Sequence, residues 1–333
     1  MAKGRPLGYE RIMACVLVTG AAGFIGSHTC VRLLERGDRV VGLDNLNDYY
    51  DPKRKEANLR AIQAVSSDRF EFVRGDIRDL ELLEDCFSKQ RFDAIAHLAA
   101  MAGVRASVEK PWLYYDVNLT GTLNLLELTR THGLPNFAFA STSSAYGRTD
   151  KIPFVENDSA DRPLAPYPAS KRSAELLGYT YHHLHGIDFT ALRFFTVYGP
   201  RMRPDMMAYK VFDSMRTGDE IPLYNGGNMH RDWTFVEDIV SGVTAALDRR
   251  LGFEVINLGR GETVLLKDFV DSLQALSGKK ANLVDAPMMD ADVAYTYADI
   301  SKARSLLGYD PKTSVGEGVK RFYAWYVDNV GGF

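Results

Sequence analysis

The chain has 333 residues, 46% of them hydrophobic and 25% charged, the composition of an ordinary globular protein long enough for one large or two ordinary domains. Its formal net charge of −3 argues against a nucleic-acid partner, which needs clustered positive charge. Cys15, Cys30 and Cys86 lack metal-ligand spacing and no apolar run nears the ~20 residues of a membrane span, so no metal, disulfide or membrane partner is expected and the setting reads as cytoplasmic.

Residues 1–13 carry Lys3, Arg5 and Arg11 without an apolar core, which reads as a flexible extension rather than a secretory signal. Short apolar runs then alternate with amphipathic stretches. Strands are expected at 15–19, 39–43, 70–73, 94–98 and 137–140, and helices near 25–36, 53–64, 79–88, 112–131 and 168–184. That alternation predicts an α/β chain with a doubly wound parallel sheet, and runs apolar on both faces fit strands covered by helices on both sides. After about residue 195 the pattern turns irregular, beginning with the Gly/Pro-rich stretch 198–205. The expected division is a sheet domain over 14–195 and a smaller α/β lobe over 196–333, with some segments free to cross back. No Ser- or Pro-rich linker separates them, so a cleft between packed lobes is expected.

The first strand runs into Gly20-Ala-Ala-Gly23-Phe24-Ile25-Gly26 and then at once into a helix. Such glycines permit a tight turn, close approach of backbone to a pyrophosphate, and close helix–strand packing, while the helix N-terminus attracts phosphate. Alone, a glycine cluster is equally a plain turn. The context is more specific. Asp44 ends the second strand, placed to accept both hydroxyls of a ribose and to repel a 2′-phosphate, so NAD is expected over NADP. Asn45 follows it toward the adenine side, and Asp76-Ile77 comes after the third strand. Leu98-Ala99-Ala100 ends the fourth strand with side chains that let a cofactor lie close. The first half therefore reads as a Rossmann-type NAD-binding domain.

Tyr167 and Lys171 stand at i and i+4, one turn apart on one helix face. A free phenol with a pKa near ~10 is too weak an acid to serve as a base at neutral pH. A neighbouring ammonium and a positive nicotinamide would both favour the phenolate, which could then take a hydroxyl proton. By itself the spacing also fits a solvated helix face. The segment Ala140-Ser-Thr142-Ser143-Ser144-Ala-Tyr-Gly147 lies where an open sheet binds ligands, though a Ser/Thr-rich turn would look the same.

Together these residues resemble the extended short-chain dehydrogenase/reductases, and among them the NAD-dependent nucleotide-sugar epimerases, over nearly all of 15–327. Segments 43–52, 98–105 and 192–206 resemble those of UDP-glucuronate 4-epimerases. The resemblance implies a UDP-sugar substrate and epimerisation of UDP-glucuronate to UDP-galacturonate through a transient 4-keto sugar. It makes Tyr167 the base, with Lys171 tuning it and gripping the nicotinamide ribose, Thr142 aiding proton transfer, and Asn118 supporting the cofactor side. Arg105, Ser143 and Ser144 would lie on the substrate side. Thr196 and Arg203 would face the sugar carboxylate, Arg231 the diphosphate, Asp292 the uridine ribose, and Pro222 to Tyr224 the uracil. The match departs at Met288-Met289, where UDP-glucose 4-epimerases often place a diphosphate-binding Arg. The family usually dimerises through two helices per subunit, here 112–131 and 168–184, so a homodimer is expected.

UDP-glucose 4-epimerase is the nearest rival. A UDP-glucuronate decarboxylase typically has Glu where Ser144 stands, and a 4,6-dehydratase needs an acid pair where Ser143 and Ser144 follow Thr142. For Arg201 and Arg203, a solvated loop or a phosphate contact is the plainer alternative. A non-catalytic NAD sensor is the alternative of a different class, but such proteins commonly lose the Tyr or the Lys.

Overall fold

The computed structural model describes residues 13–332. The expected flexible extension, Met13 apart, lies outside the described residues. Strands β1 (Cys15–Thr19), β2 (Arg39–Asp44), β3 (Phe70–Arg74), β4 (Ala94–His97), β5 (Asn136–Thr142) and β6 (Asp188–Phe194) are joined by Phe253–Leu258. They form one sheet in the order Phe253–Leu258, β6, β5, β4, β1, β2, β3, every pairing parallel. The last strand comes from beyond residue 195. Its run is short and carries no periodicity that distinguishes it from its surroundings, whereas pairing with β6 buries Ile256 and Leu258 completely.

Alternation along the strands supplies two apolar faces. Val16, Val18 and Val40 join the core on one side, Leu17, Val41 and Leu43 that on the other. Each such side chain contributes ~1.5–3 kcal/mol when removed from water. Helix α1 (Phe24–Glu35) covers the first face together with Val236–Leu247, which comes from beyond residue 195 and packs on α1. One continuous core therefore joins residues before and after 195.

The expected helix at 112–131 is a single helical run with an irregular middle. Pro111–Tyr115 and Gly121–Thr131 are α-helical, and Asp116–Thr120 forms a π turn. Such turns insert one extra residue and re-aim side chains, often at functional sites. A helix at Val104–Glu109, not read from the sequence, precedes it. Beyond residue 195, Glu220–Tyr224 pairs with Asn282–Ala286, and Trp233 packs flat on Phe269 at 3.8 Å between ring centroids. No helix among the described residues is long and apolar enough to cross a membrane.

The two neighbours of β1 are β2, which follows it in the chain, and β4, reached by a crossover from β3, so the strand order reverses at β1. In an open parallel sheet, a crevice forms outside the strand ends at that switch point.

Candidate active site

The crevice is lined by Gly20, Gly23, Phe24, Ile25 and Gly26, by Asp44 and Asn45, by Asp76 and Ile77, and by Leu98, Ala99 and Ala100. Gly20 has φ +70°, and a Cβ there would meet the Ala99 nitrogen at 2.7 Å. At Gly26 a Cβ would come within 2.0 Å of the Gly20 carbonyl oxygen. The two glycines thus close the turn against β4 and seat α1 on it. Gly23 caps α1 with no side-chain bond, and no acid lies in the first turn, so the N–H groups there stay open to an anion.

Asp44 is buried at the end of β2. Its oxygens accept the N–H groups of Ala22 at 3.1 Å and Leu46 at 2.9 Å, and Lys55 lies 3.9 Å away. Burial pushes its carboxyl up, while Lys55 and the two N–H groups pull it back. Lys55 reaches the crevice from the helix Pro52–Gln63 and escaped the sequence reading, since its helical spacing resembles that of any surface lysine. Asn45 Nδ2 donates to Asp76 Oδ2 at 2.8 Å, and Arg78 grips both Asp76 oxygens. That grip holds the Asp76 carboxyl down at about 2, so it enters the site already engaged.

Beneath the crevice lies a buried polar chain. The Ala99 N–H donates to Thr19 Oγ1 at 3.2 Å, and Thr19 is 2.7 Å from His97 Nδ1. His97 Nε2 meets Thr122 Oγ1 at 3.0 Å, and Thr122 donates to the Asn118 carbonyl at 2.6 Å. Thr122 has only one proton, so His97 Nε2–H must donate to it and Nδ1 must accept from Thr19. Full burial holds His97 neutral, far below the usual histidine range. A lone polar residue inside the apolar run of β4 was the available signal for it. Asn118, on the π turn, accepts from the Met101 N–H at 2.8 Å and donates to the Met101 carbonyl and to Ser170 Oγ. Ser170 in turn donates to the Tyr167 carbonyl at 2.8 Å. Asn118 thereby ties the strand-end loop to the first turn of the helix Pro166–His185.

That helix carries Tyr167 and Lys171 into the crevice, where Ala140, Ser141, Thr142, Ser143 and Ser144 from the end of β5 also line it. Lys171 is 1% exposed, its Nζ has no hydrogen-bond partner, and it rests 4.1 Å from the centroid of the Phe139 ring. Burial brings the ammonium down to about 7, with Glu175 one turn on opposing that shift. Glu175 is itself fixed by Arg193, which donates to both its oxygens at 2.9 and 2.7 Å. Burial pushes the Tyr167 phenol up, and a hydrogen bond with Thr142 and the charge of Arg203 draw it back. In the protein alone, Thr142 and Arg203 are the groups that oppose this rise.

Thr196 and Arg203 line the same crevice, as does Tyr49. Arg203 is not a solvated loop charge. It is paired with Asp205, which the sequence reading passed over because a loop sequence does not say which way its carboxylate turns. Arg105, Tyr224, Arg231 and Asp292 gather in a second cluster. Arg105 Nη2 donates to Asp292 Oδ2 at 2.7 Å and its guanidinium lies 3.7 Å from the Tyr224 ring centroid. Arg231 is half-buried and bonds the carbonyls of His230 and Ala294. Burial draws its guanidinium down to about 10, Asp292 opposing and Arg105 reinforcing. Pro222 is two residues before Tyr224 on the strand Glu220–Tyr224. Val104 lines the crevice, so Arg105 puts this cluster next to it. Met288 and Met289 are exposed.

An uncapped helix N-terminus, a ribose-height carboxylate and a buried lysine with an unused ammonium fit a dinucleotide. The arginines beyond fit a second anionic ligand.

A family model described as GDP-mannose 4,6 dehydratase matches residues 17–322. The UDP-glucuronate 4-epimerase of Thermodesulfobacterium geofontis is 44% identical over 319 residues, 96% of this chain and 98% of that protein. UDP-glucuronate 4-epimerase 4 of Arabidopsis thaliana is 42% identical over 95% of this chain and 76% of its own length. A crystal structure of UDP-glucuronic acid 4-epimerase from Bacillus cereus with UDP-glucuronic acid and NAD superposes with a TM-score of 0.85 at 36% identity, covering 94% of this chain and 99% of that one. UDP-glucose 4-epimerase from Thermotoga maritima with UDP-glucose reaches a TM-score of 0.86 at 32% identity, covering 95% and 99%.

Proposed function

The chain belongs to the GDP-mannose 4,6 dehydratase family of extended short-chain dehydrogenase/reductases, and from that premise we propose that it is an NAD-dependent UDP-glucuronate 4-epimerase. The observation that carries the substrate is Arg203 in the same crevice as Tyr167, Thr142 and Lys171. A uronate carboxylate is costly to bury without a partner, and a guanidinium is the best available one.

NAD held in this crevice would supply a reversible hydride acceptor for C4 of the sugar, with no net oxidation over the cycle. Tyr167 receives the O4 proton, and Thr142, which shares a hydrogen bond with its phenol, holds the two in line. Lys171 donates its unused N–H groups to the nicotinamide ribose, gaining the acceptors that the protein alone does not supply. Asp44 accepts the adenosine ribose hydroxyls. Thr196 and Arg203 meet the sugar carboxylate, Arg231 the diphosphate, Asp292 the uridine ribose, and Pro222 to Tyr224 the uracil. Residues 14–195 serve as the cofactor domain and 196–333 as the nucleotide-sugar lobe, with Phe253–Leu258 crossing back.

A homodimer is supported by apolar side chains that the expected pairing helices leave exposed: Trp112 at 87%, with Leu123, Leu176, Tyr179 and Leu184. The free state of Cys15, Cys30 and Cys86 supports a reducing compartment such as the cytoplasm. The deciding experiment is product analysis after incubation with UDP-glucuronate and, separately, UDP-glucose. UDP-galacturonate should form faster than UDP-galactose. UDP-galactose alone, or a UDP-pentose as the main product, would overturn the assignment.

A further inference from the structure

We propose that Asp205 is a positioning residue that sets how tightly Arg203 holds the sugar carboxylate, and that its charge keeps this grip weak enough for the sugar to turn over. The inference rests on the uronate reading above.

Arg203 Nε donates to Asp205 Oδ1 and Nη2 to Oδ2, both at 2.9 Å, a two-bond fork. The fork is built into the chain. Only Pro204 separates the two residues, its ring fixing one backbone angle, and the Met206 N–H closes the turn on the Arg203 carbonyl at 3.2 Å. The Tyr49 hydroxyl donates to Asp205 Oδ2 at 3.5 Å, and its ring lies 5.7 Å from the Arg203 guanidinium carbon. Gly103 makes room for that hydroxyl, because a Cβ there would approach it to 2.8 Å. Arg203 lines the crevice and Asp205 does not.

A guanidinium offers two edges to carboxylates. Asp205 occupies the Nε/Nη2 edge, which leaves the Nη1/Nη2 end for a second one. The arrangement fixes the direction of that end. It also makes the Arg203–Asp205 pair neutral, so an arriving carboxylate shares one cation with another anion. Epimerisation requires that sharing. Between the two hydride transfers the 4-keto sugar must present its other face, and the carboxylate has to leave its first position to do so. A half-buried Arg with no other partner would hold a carboxylate through charge-assisted bonds and slow the rotation.

Asp205→Asn keeps the shape and an acceptor for Arg203 while removing the charge. By calorimetry it should bind UDP-glucuronate about tenfold more tightly, the scale of one charge-assisted hydrogen bond, with UDP-glucose affinity unchanged. Its kcat on UDP-glucuronate should fall about tenfold, and Asp205→Glu should recover much of the loss. Weaker or unchanged UDP-glucuronate binding, or equal changes for both sugars, would overturn the proposal and leave Asp205 as an anchor of the loop. Circular dichroism checks folding, and Asp205→Ser repeats the comparison if the asparagine variant does not fold. Wild-type protein that ignores UDP-glucuronate refutes the uronate reading and this inference together, whereas brisk wild-type epimerisation with an unaltered Asp205→Asn refutes this inference alone.

Discussion

Replacing Lys171 by Met should change how stability responds to pH. In the folded protein without cofactor, burial brings the Lys171 ammonium from 10.5 down to about 7. Between those values the unfolded chain holds more protons than the folded one, and stability must then rise with pH. At pH 7 the folded side chain is about half protonated, and by pH 8.5 hardly at all, while the unfolded lysine keeps its proton throughout. Integrated over that window, the group adds about 1–2 kcal/mol of stability to the wild type. At 1% exposure little solvent screening reduces this. Met fills similar volume against Phe139 and cannot titrate, so Lys171→Met should lack the gain. Urea melts of cofactor-stripped protein at pH 7.0 and 8.5 give the comparison, and titrations common to both proteins cancel in it. Equal gains in the two proteins would refute the argument, because the ammonium would then not be desolvated. Adding NAD to the wild type should flatten the gradient, since ribose hydroxyls supply acceptors to the charged form.

Tyr167→Phe should retain fold and NAD yet lose at least ~100-fold in kcat, the scale of general-base catalysis; near-normal turnover would remove Tyr167 from its role. Asp44→Asn should weaken NAD binding and narrow the preference over NADP by about tenfold, measured by titration of the stripped protein. Arg203→Met should cost ~1.5–3 kcal/mol in kcat/KM on UDP-glucuronate and far less on UDP-glucose; equal losses would assign Arg203 to the diphosphate. Trp112→Glu should shift the protein toward monomer in sedimentation, whereas an unchanged mass would place the dimer contact elsewhere.

Much of the site was legible because its signals are local. The turn at Gly20 and Gly26, the acid at the end of β2 and the i, i+4 pairing of Tyr167 with Lys171 each follow from backbone geometry over a few residues. Strands β1 to β5 were legible for a related reason, since parallel strands covered on both faces read as apolar runs, whereas β6, with Thr190 and Arg193 buried in its run, was not among the expected strands. The sequence by itself thus determined most of the sheet-forming half, the turn and the acid that line the crevice, and the one-turn spacing of Tyr167 and Lys171.

Other features depend on which distant surfaces meet. The strand Phe253–Leu258 joins the sheet only because β6 presents an unpaired edge to it. Arg105 finds Asp292 across 187 positions, and His97 finds Thr122 across 25. Even Asp205, two residues from Arg203, is seen as its partner only in the folded chain, where its carboxylate takes both Arg203 bonds and the Tyr49 hydroxyl. Tertiary structure also adds a cause that no local pattern carries: burial pushes the Tyr167 phenol up in the protein alone, against the pull of Thr142 and Arg203. Local patterns specify backbone conformation residue by residue. Partners and desolvation are decided by free energies of burial that exist only once the chain has packed around its core.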